Sequence, residues 1–164
     1  MTEWKLPPKA KVYEALSAVA DGRVRIVSGN EARVLSSDGT REYTVTWDDD
    51  GRRYTSNDNA SYWQGYAGYP IIAVLLAVGT ITYDPATARP LAGVPWKRVN
   101  DSFRRDYDAA VAAVLGDLEA QGADGAAIAA EADRIYERLT ALKLERGPRK
   151  RPPPKARTGR SEHD

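Results

Sequence analysis

Eight apolar residues in a row, Ile71 to Val78, sit between Pro70 and Gly79. This run limits the fold more than any other stretch. Proline gives up nothing at a first helical position, because its missing N–H would be unpaired there anyway. Glycine just past the last turn lets the chain leave a helix. The run therefore predicts a helix from Pro70 to Val78, bounded by Gly79. At 1.5 Å per residue it spans only about 13 Å, whereas a bilayer needs about 20 apolar residues. A helix this short and apolar nearly all round belongs inside a core, so the rest of the chain has to cover it.

The residues just upstream supply part of that cover. Tyr43, Val45 and Trp47 alternate with Thr44 and Thr46, the period of a half-buried strand. Asp48-Asp49-Asp50-Gly51 is turn chemistry, and residues 52–56 read as the return strand of a hairpin. A Ca²⁺ loop would need oxygen ligands at alternate positions and a later acidic clamp. Neither follows, so the aspartates are read as a plain turn. A polar stretch, residues 56–61, then leads into Tyr62-Trp63-Gln64-Gly65-Tyr66-Ala67-Gly68-Tyr69. The six rings of Trp47, Tyr54, Tyr62, Trp63, Tyr66 and Tyr69 admit two readings. They fill the core, or two or three of them stay exposed to stack on bases or enter a partner's pocket.

Strand, turn, strand, loop and apolar helix, with Ile71 to Leu76 as the helix, resemble the SWIM-type zinc finger over residues 43–78. That family carries Cys-x-Cys at the end of the hairpin and Cys-x-His at the start of the helix. Laid on this chain, the pattern puts Ser56 and Asp58 at the first ligand pair and Gly68 and Pro70 at the second. The spacing between the pairs fits. Every thiolate and the histidine are missing, so the resemblance implies a degenerate, metal-free domain that binds nucleic acid or protein. Something other than zinc must then hold it together, and the aromatic group is the candidate.

On either side of this core the chain alternates short elements. Pro7-Pro8 opens a helix over residues 9–20, with Val12, Leu16 and Val19 on one face, closed by Asp21-Gly22. Strands follow at 23–28 and 32–36, and with those at 41–47 and 52–56 they predict an α+β fold: an antiparallel four-stranded meander on two short helices. Asp84-Pro85, Arg89-Pro90 and Val94-Pro95 bar long elements between 80 and 96, leaving room for one helical turn at 85–89. From a cap at Asn100 or Asp101, the stripe Val99, Phe103, Tyr107, Val111, Val114 and Leu118 predicts one continuous helix. A break at 122–125 separates it from a last helix over 126–144. There Ile128, Ala132, Ile135, Leu139 and Leu142 repeat at spacings of four and three, the pattern of a coiled-coil seam. The resulting C-terminal helical hairpin either packs on the body or dimerises through the last helix. The expected division is an α+β domain at 1–98, the hairpin at 99–145 and a disordered basic tail at 146–164, whose proline-rich, apolar-poor composition cannot bury a core.

Charge and composition narrow the function. The net charge of +1 hides an asymmetry: residues 146–164 carry seven basic and two acidic residues, a net +5, which leaves −4 on residues 1–145. Cysteine is absent and the one histidine is His163. There is no P-loop and no Gly-x-Gly-x-x-Gly. Glu14, Asp21, Asp58, Asp84 and Asp106 are acids that a carboxylate mechanism could use, but no spacing pairs them. The expectation is a non-catalytic protein with no metal and no cofactor. Cysteine-free composition and the lack of a charged-then-apolar leader point to the cytoplasm, and heavy use of Ala, Arg and Asp points to a GC-rich bacterial genome. The leading function is nucleic-acid binding, with Arg146, Arg149, Lys150, Arg151, Lys155, Arg157 and Arg160 on phosphates and Tyr62, Trp63, Tyr66 and Tyr69 as the aromatic interaction loop. Two other readings of the tail stay open: a solubilising end, or a proline-rich protein ligand through Pro152–Pro154. The alternative function is a protein–protein adaptor that uses the aromatic loop and the hairpin.

Overall fold

The computed structural model describes residues 2–147 and 152–156. Helix α1 (Ala10–Ala20) comes first, then strands β1 (Val24–Ser28), β2 (Glu31–Leu35), β3 (Glu42–Trp47) and β4 (Arg53–Ser56). A π-helical turn (Ala60–Gln64) leads to α2 (Tyr69–Ala77). Helix α3 (Pro85–Ala88), a 3₁₀ turn (Arg89–Leu91), α4 (Trp96–Ser102), α5 (Tyr107–Ala120), α6 (Gly125–Leu142) and β5 (Glu145–Arg146) complete the chain. The fold is α+β, and among the described residues no helix is long and apolar enough to cross a membrane.

Helix α2 is the centre. Every residue from Pro70 to Leu76 is buried, as an all-round apolar helix requires. One side packs on the sheet and the other on α1. Gly79, at φ +84°, takes the chain out of it. Helix α1 is buried from Ala10 to Ala18, because α2 covers one side and α5, α6 and the 3₁₀ turn cover the others. Ser17 fastens that layer: its hydroxyl donates to the Leu91 carbonyl (2.7 Å) and accepts from Trp96 Nε1 (2.8 Å).

The sheet runs in the order β1-β2-β3-β4-β5, so it has five strands rather than four. The first three pairings are antiparallel, with Ala32 opposite Val45 and Trp47 opposite Tyr54, and β5 adds parallel to β4. Arg146 is therefore a strand residue opposite Tyr54, and not the start of a tail. Backbone bonds hold it there: Glu145 N–H to Arg52 (2.9 Å), Arg146 N–H to Thr2 (2.8 Å) and Gly147 N–H to Tyr54 (3.0 Å). Trp4 anchors the N-terminal segment through an indole N–H on the Tyr54 carbonyl (3.0 Å).

One further expectation gives way. The stripe from Val99 to Leu118 is split between α4 and α5, because Arg104 (φ +53°) and Arg105 (φ +64°) are both left-handed. The last-helix stripe Ile128, Ala132, Ile135 and Leu139 is buried in the same core as α1 and α2, so within the chain it packs on the body. Tyr136, whose hydroxyl donates to the Pro7 carbonyl (2.8 Å), and the Lys9–Asp133 ion pair (2.8 Å) fix α6 to the start of the chain.

A chain ending at residue 144 loses the three β5 hydrogen bonds, each contributing about 0.5–1.5 kcal/mol. It is expected to unfold about 2–4 kcal/mol more easily in urea than a chain ending at 147. Equal midpoints would show that β5 contributes nothing to stability.

Candidate functional site

Three short polar or aromatic segments meet on one side of α1: the β2–β3 turn, the aromatic loop after β4, and α4 with the turn that follows it. Between them lies an open cleft of about 580 Å³. That volume is in the range of small-molecule sites.

The floor comes from α1. Lys11 and Glu14 are three residues apart and share a face; both are buried, and Lys11 Nζ lies 3.1 Å from Glu14 Oε2. Asn100 of α4 donates its amide N–H to the same oxygen (3.2 Å). Lys11 Nζ also sits 4.2 Å from the centroid of the Tyr107 ring, a cation–π contact. Burial pulls the Lys11 pKa down, but the Glu14 charge, with Tyr107 and Tyr66, outweighs it and the net shift is upward. The floor therefore holds a charged pair. Asn100 is only 7% exposed, and its Oδ1 has no hydrogen-bond partner among the described residues.

One wall is the β2–β3 turn. Asp38 Oδ1 accepts from Ser36 Oγ (2.9 Å) and from both the N–H and hydroxyl of Thr40 (3.0 and 2.7 Å), while Arg41 N–H bonds Ser36 Oγ (3.0 Å). Burial works to raise the Asp38 pKa, yet these hydrogen bonds hold it below the ordinary carboxylate value. The turn is thus rigid, and it presents Arg41 to the cleft. Behind it Tyr43 and Tyr69 meet edge to face, 6.3 Å between centroids. Burial pushes both hydroxyls above the ordinary tyrosine value, and the nearby Arg41 and Arg23 offset this only in part.

The rim carries Trp63, 69% exposed, and exposed Arg105. Lys11, Arg23, Arg41, Lys97 and Arg105 face three acids, Glu14, Asp38 and Asp101. Lys11, Arg23 and Lys97 have acidic partners. Arg41 and Arg105 have none among the described residues, and Arg41 Nε is buried without a hydrogen bond.

The predicted aromatic loop divides. Trp63, Tyr66 and Tyr69 line the cleft; Tyr62 stands edge-on to Trp63 (4.6 Å) outside it. Trp47 and Tyr54 stack in the interior instead, 5.7 Å between centroids. Of the predicted basic residues, Arg146 lies over the Trp4 ring (5.1 Å) and Lys155 is exposed. Arg149, Lys150, Arg151, Arg157 and Arg160 lie outside the described residues. Sequence reasoning missed Lys11, Arg41, Asn100, Arg105 and Tyr107, and counted Glu14 only among scattered acids. The available signal was a Lys and a Glu three apart inside an otherwise apolar helix.

A second cluster lies at the end of β4. Asp58 is buried and accepts from Ser56 Oγ (2.5 Å), Ser61 N–H (3.1 Å) and Ser61 Oγ (2.7 Å), and Gly68 N–H donates to Ser61 Oγ (3.2 Å). This ties the hairpin to the start of α2. A Cβ on Gly68 would stand 2.1 Å from Asp58 Oδ2, although the φ of −73° would suit alanine. Among the described residues no group of three His, Cys, Asp or Glu side chains could hold a metal.

Gly68→Ala is expected to lose about 1–3 kcal/mol through overpacking alone. In a double-mutant cycle with Asp58→Ser the two losses should fall short of additive, since the smaller side chain frees the space; strict additivity would mean the contact is not the cause. A second outcome concerns pH. Buried Tyr43 and Tyr54 and half-buried Tyr69 stay protonated in the fold above the ordinary value of about 10. Unfolded chains then release protons that the fold keeps, so stability should fall as pH rises above about 10. Tyrosinate absorbance followed alongside unfolding would show these rings ionising only as the fold is lost.

The cleft residues all fall inside the span matched by a known family, and the match stops one residue before Arg146. No curated protein and no solved structure matches the chain. A family model matches residues 4–145, and the chain belongs to that family, described as uncharacterised conserved protein UCP014422.

Proposed function

We propose that this chain is a non-catalytic nucleic-acid-binding protein and that the cleft is where an unpaired nucleotide is held. The observation that carries the reading is the cleft lining, which brings exposed Trp63 together with Arg41 and Arg105, two guanidiniums with no acidic partner among the described residues. A guanidinium recognises phosphate in fixed geometry, and stacking on an aromatic ring contributes about 1–3 kcal/mol per base whatever the sequence.

Backbone strain supports the same reading. Two successive non-glycine residues in the left-handed region cost on the order of 1–2 kcal/mol each, and that conformation at Arg104 and Arg105 sits beside the cleft that Arg105 lines. Such strain concentrates at functional sites. The cleft is also a local basic surface on a body whose residues 1–145 carry a net −4. The tail cations Arg149, Lys150, Arg151, Lys155, Arg157 and Arg160 would add sequence-independent phosphate contacts. In this reading the Ser56–Asp58–Ser61–Gly68 cluster stands where a SWIM-type finger holds zinc, and hydrogen bonds tie hairpin to helix in its place. A cysteine-free chain of this kind fits the bacterial cytoplasm. The protein-adaptor reading draws on exposed Ile26 and Val27 of outer strand β1.

The test is fluorescence anisotropy with labelled single- and double-stranded oligonucleotides across a salt series. Single strands should bind more tightly, and affinity should fall linearly with log salt. Arg105→Ala should reduce the slope by about 0.7, the value of one phosphate contact on a single strand. Trp63→Ala should weaken binding by about 1–3 kcal/mol with the slope unchanged. If no oligonucleotide binds at low salt, the reading is wrong and the adaptor reading takes its place.

A further inference from the structure

The floor of the cleft holds an acceptor that no described residue uses. Glu14 is 5% exposed, and Oε2 takes both of its hydrogen bonds, from Lys11 Nζ and from Asn100 Nδ2. Oε1 takes none. It is also absent from the sealed atoms: the buried side-chain polar atoms without a partner, among the described residues, are Arg41 Nε and Asn100 Oδ1. Oε1 therefore opens on the cleft that Glu14 lines. The orientation of Asn100 is fixed by chemistry, since only its NH₂ end can face a carboxylate. That leaves Asn100 Oδ1 buried without a donor, which is unfavourable for the protein alone. What the arrangement achieves is to hold the Glu14 carboxylate still.

What would Oε1 accept from? A cationic ligand would have to pass Arg41, Lys97 and Arg105 and sit against Lys11. The ligand is therefore one that brings neutral N–H donors and carries its own negative charge to the rim. Nucleotides do both, and their bases differ in what they offer a carboxylate. Adenine and cytosine each place one amino group beside a ring acceptor, and uracil or thymine places one N–H between two carbonyls. Guanine alone presents two adjacent donors, N1–H and the 2-amino group, with the O6 acceptor beside them. Glu14 Oε1 has two lone pairs open, and Lys11 has a further N–H for O6.

Resting on the nucleic-acid reading above, we propose that the cleft reads guanine, with Glu14 accepting from N1–H and the 2-amino group and Lys11 donating to O6. Asn100 is a positioning residue that fixes the carboxylate, Tyr66 and Tyr107 flank the base, and Arg105 meets its phosphate. Guanosine phosphate is the ligand chemistry, whether within a single strand or as a free nucleotide.

The experiment uses the full chain with labelled pentanucleotides, two thymidines on either side of one variable base, and in parallel GMP, IMP, AMP, CMP and UMP followed by tryptophan fluorescence. Guanine should bind at least about tenfold tighter than adenine, cytosine or thymine at the variable position. Hypoxanthine, which lacks only the 2-amino group, should lose about fivefold or more of that preference; this comparison needs no variant and so does not depend on how a mutant folds. Glu14→Gln should bring the guanine strand down to the level of the adenine strand. Equal binding of all the pentanucleotides would overturn the guanine inference and leave the nucleic-acid reading standing. Binding of GMP over IMP with no binding of any strand would do the reverse. No binding of strands or nucleotides would overturn both.

Discussion

The burial of α2 on all sides is the constraint from which the rest of the architecture follows. Seven consecutive buried positions, Pro70 to Leu76, leave no face for solvent, so the helix needs a layer above and a layer below. The sheet supplies one through Ala32, Val34, Val45 and Tyr54. Helix α1 supplies the other, and because it too becomes interior it must in turn be covered by α5, α6 and the 3₁₀ turn. Apolar burial at about 25 cal/mol per Å² thus drives a stack of layers around a nine-residue helix.

The cleft is a consequence of that stacking. A helix in the second layer exposes only its ends and the strip its covers fail to reach. On α1 that strip carries Lys11 and Glu14. Buried charges survive only when paired and hydrogen-bonded, and here each charge compensates the other while Asn100 and the Tyr107 ring complete the surroundings. The same pair replaced by apolar residues would often be neutral or stabilising. Its presence at the floor of an open cleft therefore argues for a role outside folding. Rigid neighbours reinforce the point, since Asp38 locks the β2–β3 turn and Ser37 Oγ accepts from the Lys97 N–H at the start of α4 (3.2 Å).

How much of this the sequence discloses depends on how local each feature is. The α2 run, the period-two strands and the α6 stripe follow from near-neighbour patterns and are legible. Strand β5 is not, because Glu145 and Arg146 have no pattern of their own and become a strand through β4 and Thr2. The break between α4 and α5 is also hidden. Val99 to Leu118 keeps a helical period across it, and the residues that turn left-handed are arginines where glycine would be the expected signal. The aromatic loop announces itself by composition, and Trp63, Tyr66 and Tyr69 do reach the cleft. Lys11, Arg41, Asn100 and Arg105 come from four separate segments, and no linear pattern joins them.

Position also changes how the basic C-terminal residues relate to the site. Arg146 is held in the sheet over Trp4, and its Nη1 lies 3.8 Å from where a Cβ on Gly65 would stand. Lys5 bridges the same neighbourhood, with its N–H on the Gly65 carbonyl (3.1 Å). Arg146 thus sits beside the loop that carries Trp63 and Tyr66, rather than at the far end of a separate hairpin. Electrostatic attraction between exposed charges fades beyond about 10 Å at ordinary salt, so a cation at the Arg146 position would act on a strand bound at the loop as proposed, while one at the opposite pole would not. In the proposed reading the folded cleft would supply discrimination and the basic residues general affinity, and Arg146 and the aromatic loop are joined through residues 2–5 of the N-terminus.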